Sequence, residues 1–524
     1  MNAGVHLLRI ALLCVIAAGF AGCGSLPPAR ERPAELSAPA DPSTKLAKIV
    51  SASTPPDEHS GFRLMPLGVY SLDARIQLAE RAERSLVVQY YQLENDAVGR
   101  LLMRSLREAA ARGVKVRVLV DDLYTARSQY LLLALSKTPN VEVRLYNPFC
   151  CGRDGFLSRF VASPHEIYRL NHRMHNKLFI ADGVMAVVGG RNIADEYFVL
   201  SEAQNFIDMD AVVVGKVIPQ LENIFDAYWN SEEVWPIEDI VRGEGGRTPG
   251  TAEFDAWIGM AAPPPKIVLP PSDILGYGPI GEELDGGRMG LLWGVAHAVA
   301  DPPTKPKTMT ADEALATSVT MRIWTNLLGA KDEVQLTSPY LVPGEKGMAA
   351  FDDLASRKVK LVLLTNSLAA NDEPLVHTGY MRYRVRLLKS GADLYELSPE
   401  RTTASKRFGS FGTSLGRLHA KTAVIDRSRL LIGSANLDPR SATQNTEMGM
   451  MVDSPQLARE LLRVINVSKL QNSYRLRLAK GTGTLEWLTT DGENEMILTS
   501  EPEATFFQRF YNTLISPIVP EMLL

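Results

Sequence analysis

Two stretches of this chain place the same polar residues at the same offsets. His175, Lys177, Asp182, Gly189 and Asn192 lie in HNKLFIADGVMAVVGGRN, and His419, Lys421, Asp426, Gly433 and Asn436 lie in HAKTAVIDRSRLLIGSAN. Two imidazoles, two ammoniums and two carboxylates suit chemistry on one phosphodiester. A neutral His can attack phosphorus and carry it as phospho-histidine, while a protonated His donates to the departing oxygen. Lys177 and Lys421, with Asn192 and Asn436 as amide donors, can hold the phosphoryl oxygens, so no metal or other cofactor is required. Each imidazole needs its second ring nitrogen held by an acceptor, and Asp182 and Asp426 are the expected partners. His172 forms an HxxH pair with His175, but Lys177 beside them would repel a cation, so this is not read as a metal site.

The surrounding elements explain the spacing. Lys177 to Ala181 and Met185 to Val188 read as two buried strands joined by an Asp182-Gly183 turn. On a strand, residues two apart share a face, so His175 and Lys177 converge. Before them, Ser85 to Gln92 reads as a strand, Asp96 caps a helix carrying Val98, Leu102, Leu106 and Ala109, and Val114 to Val120 is a strand. Gln129 to Leu135 follows as a helix and Val141 to Tyr146 as a strand. Pro219 to Trp229 closes this half as a helix. The order returns at Glu333 to Ser338 (strand), Lys346 to Ala355 (helix), Lys358 to Thr365 (strand), Met381 to Lys389 (helix) and Asp393 to Leu397 (strand), before His419. A hairpin at Leu485 to Thr499 and a helix near Thr505 to Ile515 end the chain. Polar signature and element order therefore repeat together. This predicts two similar α/β domains about a pseudo-twofold axis, over 61–241 and 321–480, with a connection at 242–320 and a C-terminal hairpin and helix at 481–524.

Composition places the chain among globular proteins, with 45% hydrophobic and 22% charged residues. A net charge of -4 and pI near 6.1 argue against a protein held on nucleic acid by counterion release. The start differs: Ile10 to Phe20 is too short a run for a membrane span and ends at Phe20-Ala21-Gly22-Cys23. Residues 1–23 read as a secretory signal, and 24–60, rich in Pro, Ala, Ser and Thr, as a flexible tether. Only Cys150 and Cys151 remain in the body, read as two reduced, partly buried thiols.

The paired HxKxxxxD motifs with their Gly-rich turns resemble the phospholipase D superfamily. NPF before the first motif, LNHRMHNK at it and SANLDPRSATQNTE after the second are most like bacterial cardiolipin synthases, particularly the C-type or lipoprotein-like branch. The resemblance implies two α/β/α sandwich domains with one active site at their interface. It implies His175 as nucleophile and His419 as general acid, with Glu196 and Glu447 each supporting the opposite His. His377, in VHTGY, resembles a position near the lipid headgroup. Gly190-Arg191 departs from the Ser434-Ala435 of the second copy. FAGC resembles a lipobox, implying lipidation at Cys23 and, with Gly24 after it, a periplasmic face of the outer membrane.

The expected reaction is phosphatidyl transfer through His175 to phosphatidylglycerol, with phosphatidylglycerol or phosphatidylethanolamine as donor, giving cardiolipin. The competing readings are phospholipase D hydrolysis to phosphatidic acid, a nucleic-acid phosphodiesterase, and a noncatalytic envelope scaffold. FLSRFV (156–161) and KRFGSFGTSLGRL (406–418) are expected as mobile rims that dip into an anionic lipid surface.

Overall fold

The structure, a computed structural model, describes residues 25–28, 32–55, 59–243, 247–305, 310–405, 407–491 and 494–521. Cys23 and the signal lie outside them. The first half is a mixed sheet built from β1 (Ser60–Met65), β2 (Ser85–Tyr90), β3 (Lys115–Asp121), β4 (Val141–Tyr146), β5 (Leu178–Ala181), β6 (Met185–Gly189), β7 (Gln204–Ile207), β8 (Asp210–Gly215) and β9 (Val234–Pro236), β7 alone standing outside it. Its order is β1-β8-β6-β5-β2-β3-β4-β9, with β2, β3 and β4 parallel and the other pairs antiparallel. Helices form where the apolar spacing requires. In Ala97–Ala111, Val98, Leu102, Leu106 and Ala109 are buried, and the Asp96 carboxylate accepts from Gly99 N at the first turn. Such a cap contributes about 1 kcal/mol, and each fully buried Leu about 2 kcal/mol.

Beyond β10 (Leu292–Ala300), the second half repeats that topology. β11 (Glu333–Thr337), β12 (Lys360–Asn366) and β13 (Asp393–Leu397) run parallel; β14 (Leu415–Leu418) stands aside; β15 (Thr422–Ile425), β16 (Arg429–Gly433) and β17 (Met448–Asp453) pair antiparallel. β18 (Ser473–Leu478), β19 (Leu485–Asp491) and β20 (Asn494–Leu498) extend the far edge. The pairing β17-β16-β15-β11-β12-β13 matches β8-β6-β5-β2-β3-β4 strand for strand.

Between the two sheets lies one apolar layer, to which Phe225 and Trp229 of helix Ile218–Trp229 and Leu457 and Leu461 of helix Pro455–Gln471 contribute, together with inward residues of both sheets such as Ile180 and Val424. Separate clusters cover the outer faces of the first and second sheets. Two strands tie the halves further. β10 pairs antiparallel with β1 on one side and β17 on the other, so the connection is a shared strand and the sheets are continuous. β7 of the first half pairs in parallel with β14 of the second.

The flexible tether expected over 24–60 is corrected where the chain is described. Ser37 N and Oγ donate to both oxygens of Asp226, at 2.7 and 2.9 Å, Glu35 accepts from Trp229 Nε1, and Lys45–Ser53 is a helix that buries Leu46 and Ile49. Composition missed this because the anchoring groups, a Ser and a Glu, look like linker residues until their distant partners are known. In the rim expected at 406–418, Phe408 and Phe411 are buried in the layer between the sheets, because the Gly-rich segment folds inward to place β14 against β7. Phe156, Leu157 and Val161, on a helix of Phe156–Val161, are the exposed ones. Cys150 and Cys151 are free and half-buried.

Candidate functional site

Both motifs open at the foot of a strand, β5 and β15 beginning just after Lys177 and Lys421. His175 is fixed from the other half: its backbone N–H donates to Thr446 O at 2.8 Å, and Nδ1 lies 2.9 Å from Glu447 Oε2. His419 is fixed in the mirror sense, its N–H donating to Ile207 O at 2.8 Å and its Nδ1 lying 2.6 Å from Asp208 Oδ2. With each Nδ1 turned to a carboxylate, Nδ1 carries the proton and each Nε2 is free to attack or to exchange one. Lys177 Nζ donates to His175 O at 2.8 Å and Lys421 Nζ to His419 O, which holds both ammoniums beside their imidazoles. Rings complete the walls: Tyr91 meets His175 edge-on at 4.9 Å, and Tyr197 meets His419 at 5.1 Å.

The carboxylates that hold the imidazoles are Glu447 and Asp208; Asp182 and Asp426 hold neither. Asp182 accepts backbone N–H bonds from Glu83, Arg84 and Ser85 at 2.7–3.1 Å, and Asp426 from Lys331, Asp332 and Glu333 at 2.8–3.2 Å. Each sits at positive φ in its turn, at 52° and 48°, aimed away from the site and at the start of β2 or β11. The motif Asp is thus a clamp between hairpin and neighbouring strand. A carboxylate has acceptor capacity for three amides, which a neutral side chain there would lack.

Glu447 takes the place the sequence assigned it; Glu196 does not. Glu196 lies in a short 3-10 helix near Glu94 and Asp96, its carboxyl pushed up to about 7 by burial and by those two charges, and the carboxylate bonded to His419 is not its own. Asp208 stands there instead. A readable signal was present: Asp208-Met209 just before β8 parallels Glu447-Met448 at β17, but the loop from Asn192 is longer than that from Asn436, so counting from the Asn reaches the wrong acid. Gly190 explains its own departure from Ser434. A Cβ on Gly190 would stand 2.2 Å from Asp208 Oδ1, whereas the Ser434 hydroxyl donates to Glu447.

Glu447 is also braced by Ser441 Oγ at 2.7 Å, and its N–H donates to Asp301, whose carboxylate pairs with the fully buried Lys305 at 2.8 Å. Lys305 reaches on to the carbonyls of Ser441 and Asn445. None of these was found from sequence, since the pair lies in the connection. Asn192 Nδ2 donates to the Tyr197 hydroxyl at 2.8 Å, and Asn436 lies buried at the end of its turn. His172 Nδ1 bonds Gln444 O, a contact between halves. His377 is fully buried beside Arg384, which takes it out of reach of a headgroup.

Electrostatics follow burial. Loss of solvent, and next the Glu447 charge opposing it, leave His175 down at about 4; burial and Lys421 leave His419 at about 3. Burial pushes Lys177 well down and Lys421 to about 8. Burial alone would raise Glu447 and Asp208, but their imidazole partners and the lysines hold both below the usual carboxylate range. The site thus holds two neutral imidazoles and two buried lysines whose charge is met by the Glu447 and Asp208 carboxylates. A phosphodiester bound between them would add negative charge, which raises the proton affinity of a neighbouring imidazole.

The family described as "Cardiolipin synthase, PLD-like domain" matches residues 75–229 and 323–467. The chain is 37% identical over 487 residues to cardiolipin synthase C of Escherichia coli (strain K12), covering 91% of this chain and all of that one. It is 23% identical over 429 residues to a cardiolipin synthase of Oceanobacillus iheyensis, covering 81% of this chain and 70% of the other. In fold it resembles the crystal structure of phosphatidylserine synthase from Haemophilus influenzae, with TM-score 0.54 and 12% identity over 90% of this chain and 96% of that one. With one family matched in both halves and a relative aligned along nearly the whole length, the chain belongs to the phospholipase D-like cardiolipin synthase family.

Proposed function

We propose that this enzyme is a phosphatidyltransferase that forms cardiolipin. The observation that carries the reading is the crossed pair of imidazole–carboxylate contacts, His175 with Glu447 and His419 with Asp208, each spanning the two halves of one site. His175 Nε2 attacks the phosphorus of a donor phospholipid. The bond to the headgroup oxygen breaks, and protonated His419 gives that oxygen its proton, leaving phosphatidyl-His175. A glycerol hydroxyl of phosphatidylglycerol then enters, neutral His419 takes its proton, and the alkoxide displaces His175. Lys177 and Lys421 stabilise the phosphoryl oxygens through both steps.

The relative named cardiolipin synthase C supports cardiolipin as the product; the acceptor proposed here is phosphatidylglycerol, and the donor phosphatidylglycerol or phosphatidylethanolamine. The FAGC segment supports a lipid anchor at Cys23 and a place on the periplasmic side of the envelope, at the outer membrane. The test is to incubate purified protein with labelled phosphatidylglycerol, with and without phosphatidylethanolamine, and to resolve the products by lipid mass spectrometry. Labelled cardiolipin is expected. Phosphatidic acid as the sole product would replace transfer by hydrolysis, and cleavage of oligonucleotides with no lipid product would overturn the reading.

A further inference from the structure

The C-terminal helix Phe506–Ile515 is amphipathic the wrong way round for a helix packed on a protein. Asn512 is buried and Gln508 and Arg509 are half-buried against the body, while Phe506, Phe507, Phe510, Tyr511, Leu514 and the following Ile518 are exposed, Phe507 at 79%. The rings lie on one another, Phe506 stacked with Phe510 at 6.2 Å and edge-on to Phe507 at 5.9 Å, so they form one patch. Polar bonds fix the orientation. Thr505 and Gln508 cap the first turn, Ser516 Oγ donates to Thr378 O, and Arg382 donates to the carbonyls of Ser516 and Val519. A helix so tied cannot roll its apolar face inward, and a patch of this size marks a partner.

Its position identifies the partner. The helix packs on Pro374–Met381, which begins just after Asp372 and Glu373. Asp372 accepts from the Tyr340 hydroxyl and its carboxyl feels the Lys421 charge, while Glu373 acts electrostatically on Tyr124. Tyr124 meets Tyr91, the ring on His175, and stacks on Phe156 at 6.0 Å. These contacts link His175 through Tyr91 and Tyr124 to the exposed 156–161 helix of one half, and through the Glu373 charge to the 374–381 helix of the other, on which the 506–515 helix packs. From Ala504 to Pro520 the chain carries no acidic residue, so this face sets no negative charge against lipid phosphates. A second copy seated on these patches would cap the mouth, whereas a bilayer leaves its headgroups free to enter.

We propose that the outer face of the 506–515 helix is a bilayer-docking surface that presents the site mouth to phospholipid headgroups. The inference rests on the reading of the substrate as a bilayer phospholipid, and its test separates the two. Full-length Phe507→Trp is mixed with vesicles of phosphatidylglycerol and phosphatidylethanolamine, some brominated on their acyl chains. The added indole is expected to shift to the blue and be quenched relative to wild type. Full-length Phe507→Ser/Phe510→Ser is expected to lose about tenfold or more in turnover of vesicle lipid while keeping turnover of dispersed short-chain phosphatidylglycerol within about twofold. An unquenched indole, unchanged vesicle turnover, or an equal loss on both substrates overturns the proposal. So does a blue shift without vesicles that grows with protein concentration alongside a dimer in sedimentation, which would make the face a self-contact. Quenching by vesicles in a wild-type background that yields no lipid product would leave docking standing and sink the transfer reading.

Discussion

On the His175 side, the acceptor Glu447 is propped by two hydroxyls, Ser434 and Ser441, and by the buried Asp301–Lys305 pair behind its backbone. On the His419 side, Asp208 sits on a longer loop against a glycine, with the Arg191 guanidinium on its carbonyl. Both sides deliver one carboxylate oxygen to one Nδ1 across the interface, yet no bracing residue is shared between them. The repeat preserves the delivered contact and not the means of delivery. The braced side is also the one assigned to the nucleophile, where the imidazole must remain positioned while it carries a bulky phosphatidyl group. The lighter side carries the imidazole proposed as the acid, which needs only to exchange a proton.

That contrast can be broken most severely at the imidazoles. His175→Asn should reduce transfer by about 10⁴-fold or more with unfolding unchanged, and no phosphorus should be retained on the protein after acid quench. Retention of phosphorus on this variant would reassign the nucleophile. Next come the carboxylates: Asp208→Asn should cost roughly 10²- to 10³-fold in kcat, while Glu196→Gln should stay within about threefold, measured by the same lipid assay. A larger loss at Glu196 would restore the sequence-based choice. The small residues sharpen the comparison further. Gly190→Ser forces an atom into Asp208 and should cost about 10²-fold, whereas Ser434→Gly removes one hydroxyl from a well-braced Glu447 and should cost only about tenfold.

Smaller effects fall on stability. Asp426→Asn weakens a carboxylate clamp on three amides and should lower the unfolding free energy by about 2 kcal/mol while turnover per folded molecule holds. A collapse of turnover in a stable variant would return Asp426 to the chemistry. Acid should act on both sides at once. His175 and His419 are depressed in the fold, to about 4 and about 3, so between there and the ordinary value of 6.5 the unfolded chain binds more protons. Stability measured by urea titration should therefore rise with pH across that window, and His175→Gln should flatten the rise.

The fold was legible wherever the chain repeated itself. Strands β2 to β6, β11 to β13, and β15 and β16 follow from alternation, from basic-apolar runs and from the repeated motif, all local signals; β14 does not, its Gly-rich segment reading as a mobile rim. The motif His and Lys residues were legible for the same reason. The acceptor on His419 was not, because Asp208 is defined by a contact with the other half, and insertions in its loop erase the count that would reveal it. The same holds for Lys305, whose only sequence signature is a Pro-rich neighbourhood. The 506–518 face was visible as apolar residues but not as outward ones, since its polarity is inverted by tethers from Thr378 and Arg382.

The shared strand β10 has a mechanical consequence. Because it is hydrogen-bonded to both sheets at once, at Ser60 to Phe62 and at Met448 to Asp453, the two halves cannot swing apart without unzipping a ladder. The crossed contacts of His175 with Glu447 and of His419 with Asp208 therefore keep their register while one lipid follows another. Such a site measures its second alcohol against a rigid gauge, so longer or shorter polyols should be sorted by fit at the lip and not by any closing of the jaws.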